Sequence, residues 1–373
     1  MENSASKLVL VAHPGDETFA FSRVCAGADV VSVTAGGRQE LADEFRRACD
    51  LLGGKRALML NLPDIYPWRL PIEMLVGRLK ELGPYSRVYT HSPLEKHCHH
   101  QDVAFAASQC FEEIWVRTWG GYAVEAHVLS QAAFAQKLDI INRVYAEAVT
   151  LATEDDHLSV AEVTGVEAFV PARFPEVTQA RALTSLEIRS DIPNLWAFET
   201  SPYEQERYDR TCAVLADAGK ECAPASILEI GACEGVMTRR LRTLFPGAKI
   251  YAVEVNPVFA RRLRESLKTD PDTDIVEASV LDIPLSADLV LLTEILNLVP
   301  EHTLDILGRV QAKYLLTSYI GSFDDRVSLC LQRFGWHNIV TVRVLPKFEA
   351  VDGRTSFLVA RRPGSNIRLW RPA

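Results

Sequence analysis

Two groups of residues in this chain have the types and spacing to do chemistry. The first opens at His13 and Asp16, within Ala12-His13-Pro14-Gly15-Asp16-Glu17, and resumes far along the chain at His97-Cys98-His99-His100. His, Asp and His from separate loops make a three-ligand zinc set with an open fourth position, the pattern of a catalytic site. Zinc lowers the pKa of a bound water to about 7, which suits attack on an amide carbonyl. Nine His in 373 residues is an ordinary number, and ligand types alone fit a surface cluster that binds nothing equally well.

The second group opens at Ile227-Leu228-Glu229-Ile230-Gly231-Ala232-Cys233-Glu234-Gly235. An apolar strand runs into E-x-G-x-x-x-G and then into a helix. Gly231 and Gly235 let the backbone turn tightly and approach a ligand. The helix N-terminus offers free N–H groups to an anionic group such as a cofactor carboxylate. Glu254 ends the next strand, where an acid commonly bonds ribose hydroxyls. Asp282 follows a third strand, where an acid can meet an adenine amino group. Glu294 ends a fourth, in Thr293-Glu294-Ile295-Leu296, beside the place where a methyl group would be transferred. Singly, each acid reads as a solvated strand end and the glycines as a plain turn. Together, in this order, they point to a nucleoside cofactor. NAD competes because the glycine logic is shared, and the E-x-G start with the later strand order favours S-adenosylmethionine (SAM).

These residues need strands to end at one sheet edge. In the first half Lys7–Ala12, Val30–Val33, Ala57–Leu60, Arg87–Thr90 and Glu113–Val116 read as buried strands. Gln39–Leu52 carries Leu41, Phe45, Ala48 and Leu52 on one helical face and stops at Gly53–Gly54. Ile72–Leu82 reads as a helix, and Leu129–Ala152 as a long one. Residues 153–194 give no clear pattern. In the second half the strands are Ser226–Ile230, Lys249–Val255, Asp274–Ala278, Asp288–Leu292 and Tyr314–Ser318. Helices are expected over Tyr203–Ala218, Val236–Leu244, Val258–Leu267 and His302–Val310. Asn338–Leu345 and Thr355–Arg361, with no helix between them, are expected to form an antiparallel pair that closes the sheet. The fold class is therefore α/β, with two tandem Rossmann-like domains over 1–190 and 194–373 and a linker around Asp191–Ala197.

Composition narrows the classes. A hydrophobic fraction of 48% and a charged fraction of 24% are ordinary for a soluble globular protein. The net charge of −9, with no Lys/Arg block, argues against nucleic acid and membrane partners. The first ten residues lack the apolar core and cleavage signal of a leader peptide. The eight Cys form no C-x-x-C pair, so neither a zinc finger nor a disulfide framework is indicated, and a reduced, cytoplasmic setting is expected. A homo-oligomer is compatible with all of this.

Specific resemblances refine the reading. Ala12–Glu17 (AHPGDE), TAGGRQELADEFRRACDLLGG, Leu62–Asp64 (LPD) and YTHSPLEKHCHHQDV resemble, in that order over about residues 7–180, the LmbE-like (PIG-L) zinc N-deacetylases. The resemblance implies that His13, Asp16 and His100 hold zinc and that the substrate is an N-acetylglucosamine-type sugar. Amide cleavage of a thiol conjugate also occurs in that family. The family motif is A-H-P-D-D-E, and Gly15 stands where its general base is expected. His99 stands at a frequent Asp. His97, His99 and Asp64 are the substitutes for the base, whose loss typically costs about 10²–10⁴-fold in rate.

Trp196–Leu215, LEIGACEGVMTRRL and TEILNLV resemble the NodS-like N-methyltransferases over roughly residues 194–363. That implies a class I SAM methyltransferase sheet and an acceptor amine on a deacetylated glucosamine. It also puts Trp196, Tyr203 and Tyr208 in a segment that closes over cofactor and substrate. Asn297-Leu298 replaces a pair of tyrosines that relatives often carry. Glu294 and Tyr203 are candidates to orient the amine or take its proton, and packing alone is an equal reading of Tyr203. A deacetylase exposes an amine and such a methyltransferase consumes one. The expectation is a bifunctional enzyme acting on a small amino-sugar substrate with zinc and SAM. The alternative is a methyltransferase fused to an inactive sugar-binding module.

Overall fold

The structure is a computed structural model that describes residues 6–34, 39–118, 123–145, 163–184, 189–219, 223–320 and 324–373. The chain divides into two compact units, Met1–Ser185 with Ser356–Leu358 and Leu186–Thr355 with Val359–Ala373. Each is built on a seven-stranded mixed sheet.

In the first unit β1 (Lys7–Val11) lies centrally, with Leu8 to Val11 fully buried. It pairs in parallel with β2 (Asp29–Thr34) and β4 (Arg87–Thr90). β3 (Arg56–Leu62) lies outside β2, and β5 (Ile114–Arg117) beside β4. The apolar runs read from sequence become these five strands. The other edge differs from the parallel expectation. β7 (Val166–Ala172) pairs antiparallel with β5 and with β6 (Glu125–Val128), so the order is β3-β2-β1-β4-β5-β7-β6. β6 escapes notice because it has only four residues in a polar loop. β7 falls in the stretch without a clear pattern, ahead of a helix at Phe174–Thr184.

The long helix expected over Leu129–Ala152 is shorter. Ser130 caps it by accepting from the Ala133 N–H at 3.2 Å, and it runs over Gln131–Arg143. Tyr145 turns inward, fully buried, and its hydroxyl donates to Glu17 at 2.7 Å. Residues 146–152 lie outside the described residues.

In the second unit β8 (Ser226–Ile230) is flanked in parallel by β9 (Lys249–Val253) and β11 (Ser286–Thr293). β10 (Thr273–Val276) and β12 (Gln311–Tyr319) follow outward. Period-two alternation splits the apolar side chains between the faces. Ile227, Leu289, Leu291 and Leu316 pack on one side, and Leu228, Val290, Leu292 and Leu315 on the other.

The closing antiparallel pair is present with a different partner. β13 (Trp336–Val344) pairs with β16 (Ser365–Pro372), not with Thr355–Arg361. β16 also pairs with β12, giving the order β10-β9-β8-β11-β12-β16-β13. Val359–Arg362 (β15) instead makes a separate two-stranded sheet with Lys347–Ala350 (β14). Arg368 and Arg371 disguise β16 as a polar tail, yet Ile367 and Leu369 enter one core and Trp370 the other. A helix at Asp324–Arg333, also unread from sequence, precedes β13.

Both sheets therefore have the same strand order and the same antiparallel β5–β7–β6-type edge. Among the described residues no helix is long and apolar enough to cross a membrane. The seven cysteines described are free thiols.

Trp370 is fully buried, and its indole N–H donates to the Thr317 hydroxyl at 2.9 Å. Trp370→Ala should destabilise the second unit by about 3–5 kcal/mol and leave the first unchanged. Urea denaturation followed by fluorescence would show one transition shifted and the other fixed, whereas coincident shifts would contradict the division into two units.

Candidate active sites

In the first unit the turn after β1 presents His13 and Asp16 at the carboxyl edge of the sheet. Asp16 opens the helix Asp16–Phe21. Its Oδ2 accepts the His13 backbone N–H at 2.8 Å. It lies 3.4 Å from His13 Nδ1, 3.3 Å from His91 Nε2 and 3.5 Å from His100 Nε2. Burial alone would raise the Asp16 pKa. The charge and hydrogen bond of His100, with a bond from His13, outweigh it and hold the carboxyl well below the ordinary range. Burial likewise opposes a charged His100, yet Asp16 and Glu95 push its pKa up to about 10.

Tautomers decide which rings can ligate. The Ala12 N–H donates to His91 Nε2 at 3.0 Å, so that lone pair is occupied. His100 Nδ1 bonds the Glu95 carboxylate, which leaves Nε2 turned toward Asp16. A carboxylate behind a ligating His is the usual second support of a metal site. His99 sits fully buried in the first turn of the helix Cys98–Cys110. Its Nε2 meets the Trp68 carbonyl at 3.0 Å, and its Nδ1 lies 3.0 Å from His13 Nε2 and 3.5 Å from Asp64 Oδ1. His97, before the same helix, stacks on Tyr66 with centroids 4.6 Å apart. Burial first, then the neighbouring His100 and His13, lower its pKa to about 2. Three ligand sets converge: His13 with His97 and His100, His13 with Asp64 and His99, and Asp16 with His91 and His100.

Every residue singled out from sequence for this site thus falls in one cluster. His91 and Glu95 were not singled out, although His91 directly follows β4 at the same sheet edge as His13. Asp102 was also missed. Fully buried, it accepts from Arg69 at 3.0 Å, Arg181 at 2.9 Å and the Leu70 N–H at 2.8 Å. It thereby fastens the loop carrying Tyr66 and Trp68 to the helix carrying His99 and His100. The backbone at position 15 would strain an acid placed on it. Gly15 adopts φ 106°, a region that favours glycine. A Cβ there would stand 3.2 Å from the Phe19 ring.

In the second unit β8 ends at Ile230 and the chain turns through Gly231 at φ 74° and Gly235 at φ 83°. A Cβ on Gly231 would stand 2.2 Å from Ile295 Cδ1, and one on Gly235 2.6 Å from Leu263 Cδ1. Glu254 follows β9 and latches the loop. Its two carboxylate oxygens accept the Cys233 N–H at 2.9 Å and the Asn256 N–H at 2.8 Å. Burial raises its pKa. Beneath the loop Glu229 is buried with Oε2 unpartnered among the described residues. Desolvation raises its pKa to about 7. Glu234 ties the loop to the preceding segment, accepting the Asn194 N–H at 2.9 Å and Arg262 at 2.8 Å. Trp196, in that segment, packs against Phe198 and Phe259 at 5.5 and 5.7 Å. Asp282 is exposed, in the turn whose N–H returns to the Ser279 carbonyl at 3.0 Å.

Glu294 follows β11 with φ 57°, a left-handed conformation that costs a non-glycine residue about 1–3 kcal/mol. Its Oε1 accepts from Ser318 and Ser365 at 2.6 Å each, and its Oε2 from Asn297 at 2.7 Å. Asn297 Oδ1 is buried and unpartnered among the described residues. Tyr203 lies in the first turn of the helix Pro202–Gly219. Burial first, then Glu294, push its hydroxyl pKa well up. Tyr208 is buried under the Arg207 guanidinium, 4.6 Å from the ring centroid.

Residues 228–310 match a family model described as a methyltransferase domain. No curated protein sequence matches the chain. Solved structures similar to it include the N-methyltransferase NodS from Bradyrhizobium japonicum WM9, in complex with S-adenosyl-L-homocysteine. That likeness has 16% identity over 53% of this chain and 98% of the other, with a TM-score of 0.38. Magnesium protoporphyrin IX methyltransferase from Synechocystis PCC 6803 with bound SAM has 14% identity over 46% and 80%, with a TM-score of 0.36. Precorrin-6y C5,15-methyltransferase from Geobacter metallireducens GS-15 has 18% identity over 40% and 80%, with a TM-score of 0.31. Residues 228–310, which begin at the glycine loop, form a methyltransferase domain.

The raised pKa of Glu229 makes a stability prediction. Its folded value, about 7, lies above the ordinary value of 4.5, so folding favours the protonated acid. The associated stability, about 3 kcal/mol, is complete below pH 4.5 and is lost as pH rises to about 7. Glu229→Gln should abolish that decline in the cofactor-free second unit. Urea denaturation at pH 5 and pH 7.5 checks it, and an equal decline in the variant would refute it.

Proposed function

We propose that the chain is a bifunctional enzyme that deacetylates an N-acetyl amino sugar in its first unit and N-methylates the exposed amine in its second. The observation that carries the first activity is the Asp16 carboxylate inside its ring of His13, His91 and His100. His13, Asp16 and His100 would hold zinc, whose Lewis acidity polarises an amide carbonyl. Trp68 supports a sugar as substrate. It is 74% exposed on the loop beside the histidines, and an indole face packs well on the apolar face of a pyranose.

For methylation, the Gly231–Gly235 loop and Glu254 would grip SAM, which supplies an electrophilic methyl group. The acceptor amine would be held beside that methyl group with its lone pair aimed for in-line transfer, and its proton would pass to Glu294 or to solvent. Glu294 and Asn297 offer acceptor atoms to the acceptor group, as an amine requires. Asn297 Oδ1 has an unused lone pair, and the Glu294 carboxylate is aimed by three donors. Groups that can only accept suit an amine N–H and help orient its lone pair for in-line attack. Tyr203, beside Glu294, would close the acceptor side.

Gly15 favours a second reading, in which the first unit binds the sugar and only the second unit is catalytic. The test that separates the two is mass spectrometry of N-acetyl amino sugars incubated with protein, zinc and SAM. The bifunctional reading expects acetate release and a methyl group on the same nitrogen. Methylation only of a supplied free amine, without acetate release, would establish the second reading. Asp16→Ala should block acetate release and leave methylation of the free amine intact. Trp68→Ala should raise the deacetylation KM about tenfold at similar kcat, and an unchanged KM would remove Trp68 from the substrate site.

A further inference from the structure

We propose that the small sheet of β14 and β15 is a clasp that holds the segment Asn194–Tyr203 against the glycine loop, with Glu349 and Arg362 as its positioning residues. The inference rests on the methyltransferase reading of the second unit and gives a role to a part that lies outside the seven-stranded sheet. In the antiparallel pair Lys347 is opposite Arg362 and Glu349 is opposite Ala360, so these side chains share one face. The other face carries Phe348, Val359 and Arg361 to solvent, with Phe348 76% exposed. A two-stranded sheet is marginal by itself. This one turns Glu349 and Arg362 inward, onto the segment.

The contacts reach each part of it. One Glu349 carboxylate oxygen accepts the Ser201 hydroxyl at 2.5 Å and Arg362 Nε at 2.6 Å. The other accepts the Tyr203 N–H at 3.1 Å. Ser201 also caps the helix Pro202–Gly219, accepting the Glu204 N–H at 3.1 Å. Arg362 Nη2 donates to the Trp196 carbonyl at 3.3 Å. Glu349 therefore fixes the start of the helix that carries Tyr203, and Arg362 fixes Trp196. The turn between the strands completes the grip. The Thr200 hydroxyl donates to the Asp352 carbonyl at 2.5 Å. A Cβ on Gly353 would stand 2.5 Å from Ser201 N and from the Thr200 carbonyl, and its φ of 73° also favours glycine.

The same segment reaches the glycine loop and the Glu254 strand end. The Asn194 N–H bonds Glu234 at 2.9 Å, Glu199 accepts from Arg239 at 2.9 Å, and Trp196 packs on Phe259 shortly after Glu254. Ala197, between these attachments and the clasp, has φ 57°. A left-handed conformation is unfavourable for alanine and persists only where the surroundings hold it. Releasing the clasp removes part of that hold, so the cofactor site is complete for less of the time.

The test is calorimetry of the full chain with S-adenosyl-L-homocysteine as the probe, which reports Kd and stoichiometry separately. Glu349→Gln keeps the shape of the side chain and removes the charge that pairs with Arg362. If the segment is then seated about a tenth of the time, the apparent Kd rises about tenfold at unchanged stoichiometry. Gly353→Ala should do the same by wedging the turn off Thr200, and it decides if Glu349→Gln impairs folding. Phe348→Ala, on the outer face, should leave Kd unchanged. A native Kd in folded Glu349→Gln, or in Gly353→Ala where the first variant fails to fold, overturns the clasp. So does a fall in stoichiometry at native Kd, which marks a purely structural role, or an equal rise in Phe348→Ala. Native protein that binds no S-adenosyl-L-homocysteine overturns the cofactor reading itself.

Discussion

Each sheet here has a central strand that must turn into a helix within a few residues, and the turn frees backbone N–H groups at the carboxyl edge. In both units a carboxylate takes them up. Asp16 and Glu17 accept from His13 and Gly15, and Glu254 accepts from Cys233 and Asn256. The acids meet a demand of the backbone and at the same time place negative charge where a ligand arrives. In the first unit the charge gathers imidazoles around it. In the second, Glu254 ties a loop shaped by two glycines to the end of the neighbouring strand. One fold-level constraint thus produces two chemically different edges.

The histidine cluster also depends on a buried charge some distance from it. Asp102 has no solvent exposure and lies between two arginines and a backbone N–H. Removing one partner of such a pair typically costs about 3–5 kcal/mol, because a charge is left uncompensated. Its partners come from the loop Arg69–Leu70 and the helix Phe174–Thr184, so three segments remote in sequence are fixed together. The Trp68 carbonyl that orients His99 is held by this arrangement.

Much of the architecture is legible in the sequence because parallel strands buried on both faces read as plain apolar runs. Val30–Val33, Arg87–Thr90 and Ser226–Ile230 are such cases. The antiparallel edges resist reading for the opposite reason. Strands such as β6 and β16 mix charged and apolar residues, and only their neighbours show which face is covered. At the sites, residues next to a strand end or a glycine were accessible to inspection, as with His13, Asp16, Gly231 and Glu254. Residues that act from a distance were not. His91 looks like the end of a strand, Glu95 like a loop acid, and Asp102 like one charge on a helix. Their roles arise from long-range contacts that leave no local pattern. Asn297 is intermediate: the sequence shows it in place of a tyrosine that related sequences often carry, and its bond to Glu294 gives that departure a physical content.

β16 is inserted between β12 and β13, although it follows both in the chain. As a nascent polypeptide leaves the ribosome, the second sheet must therefore wait with a gap in its middle until residues 365–372 emerge. The first sheet has its full strand set by Ala172 and is under no such delay, so vectorial synthesis favours its folding first. During that interval the edges of β12 and β13 expose unpaired backbone and apolar side chains, which makes this the period in which chaperone protection matters most to the chain.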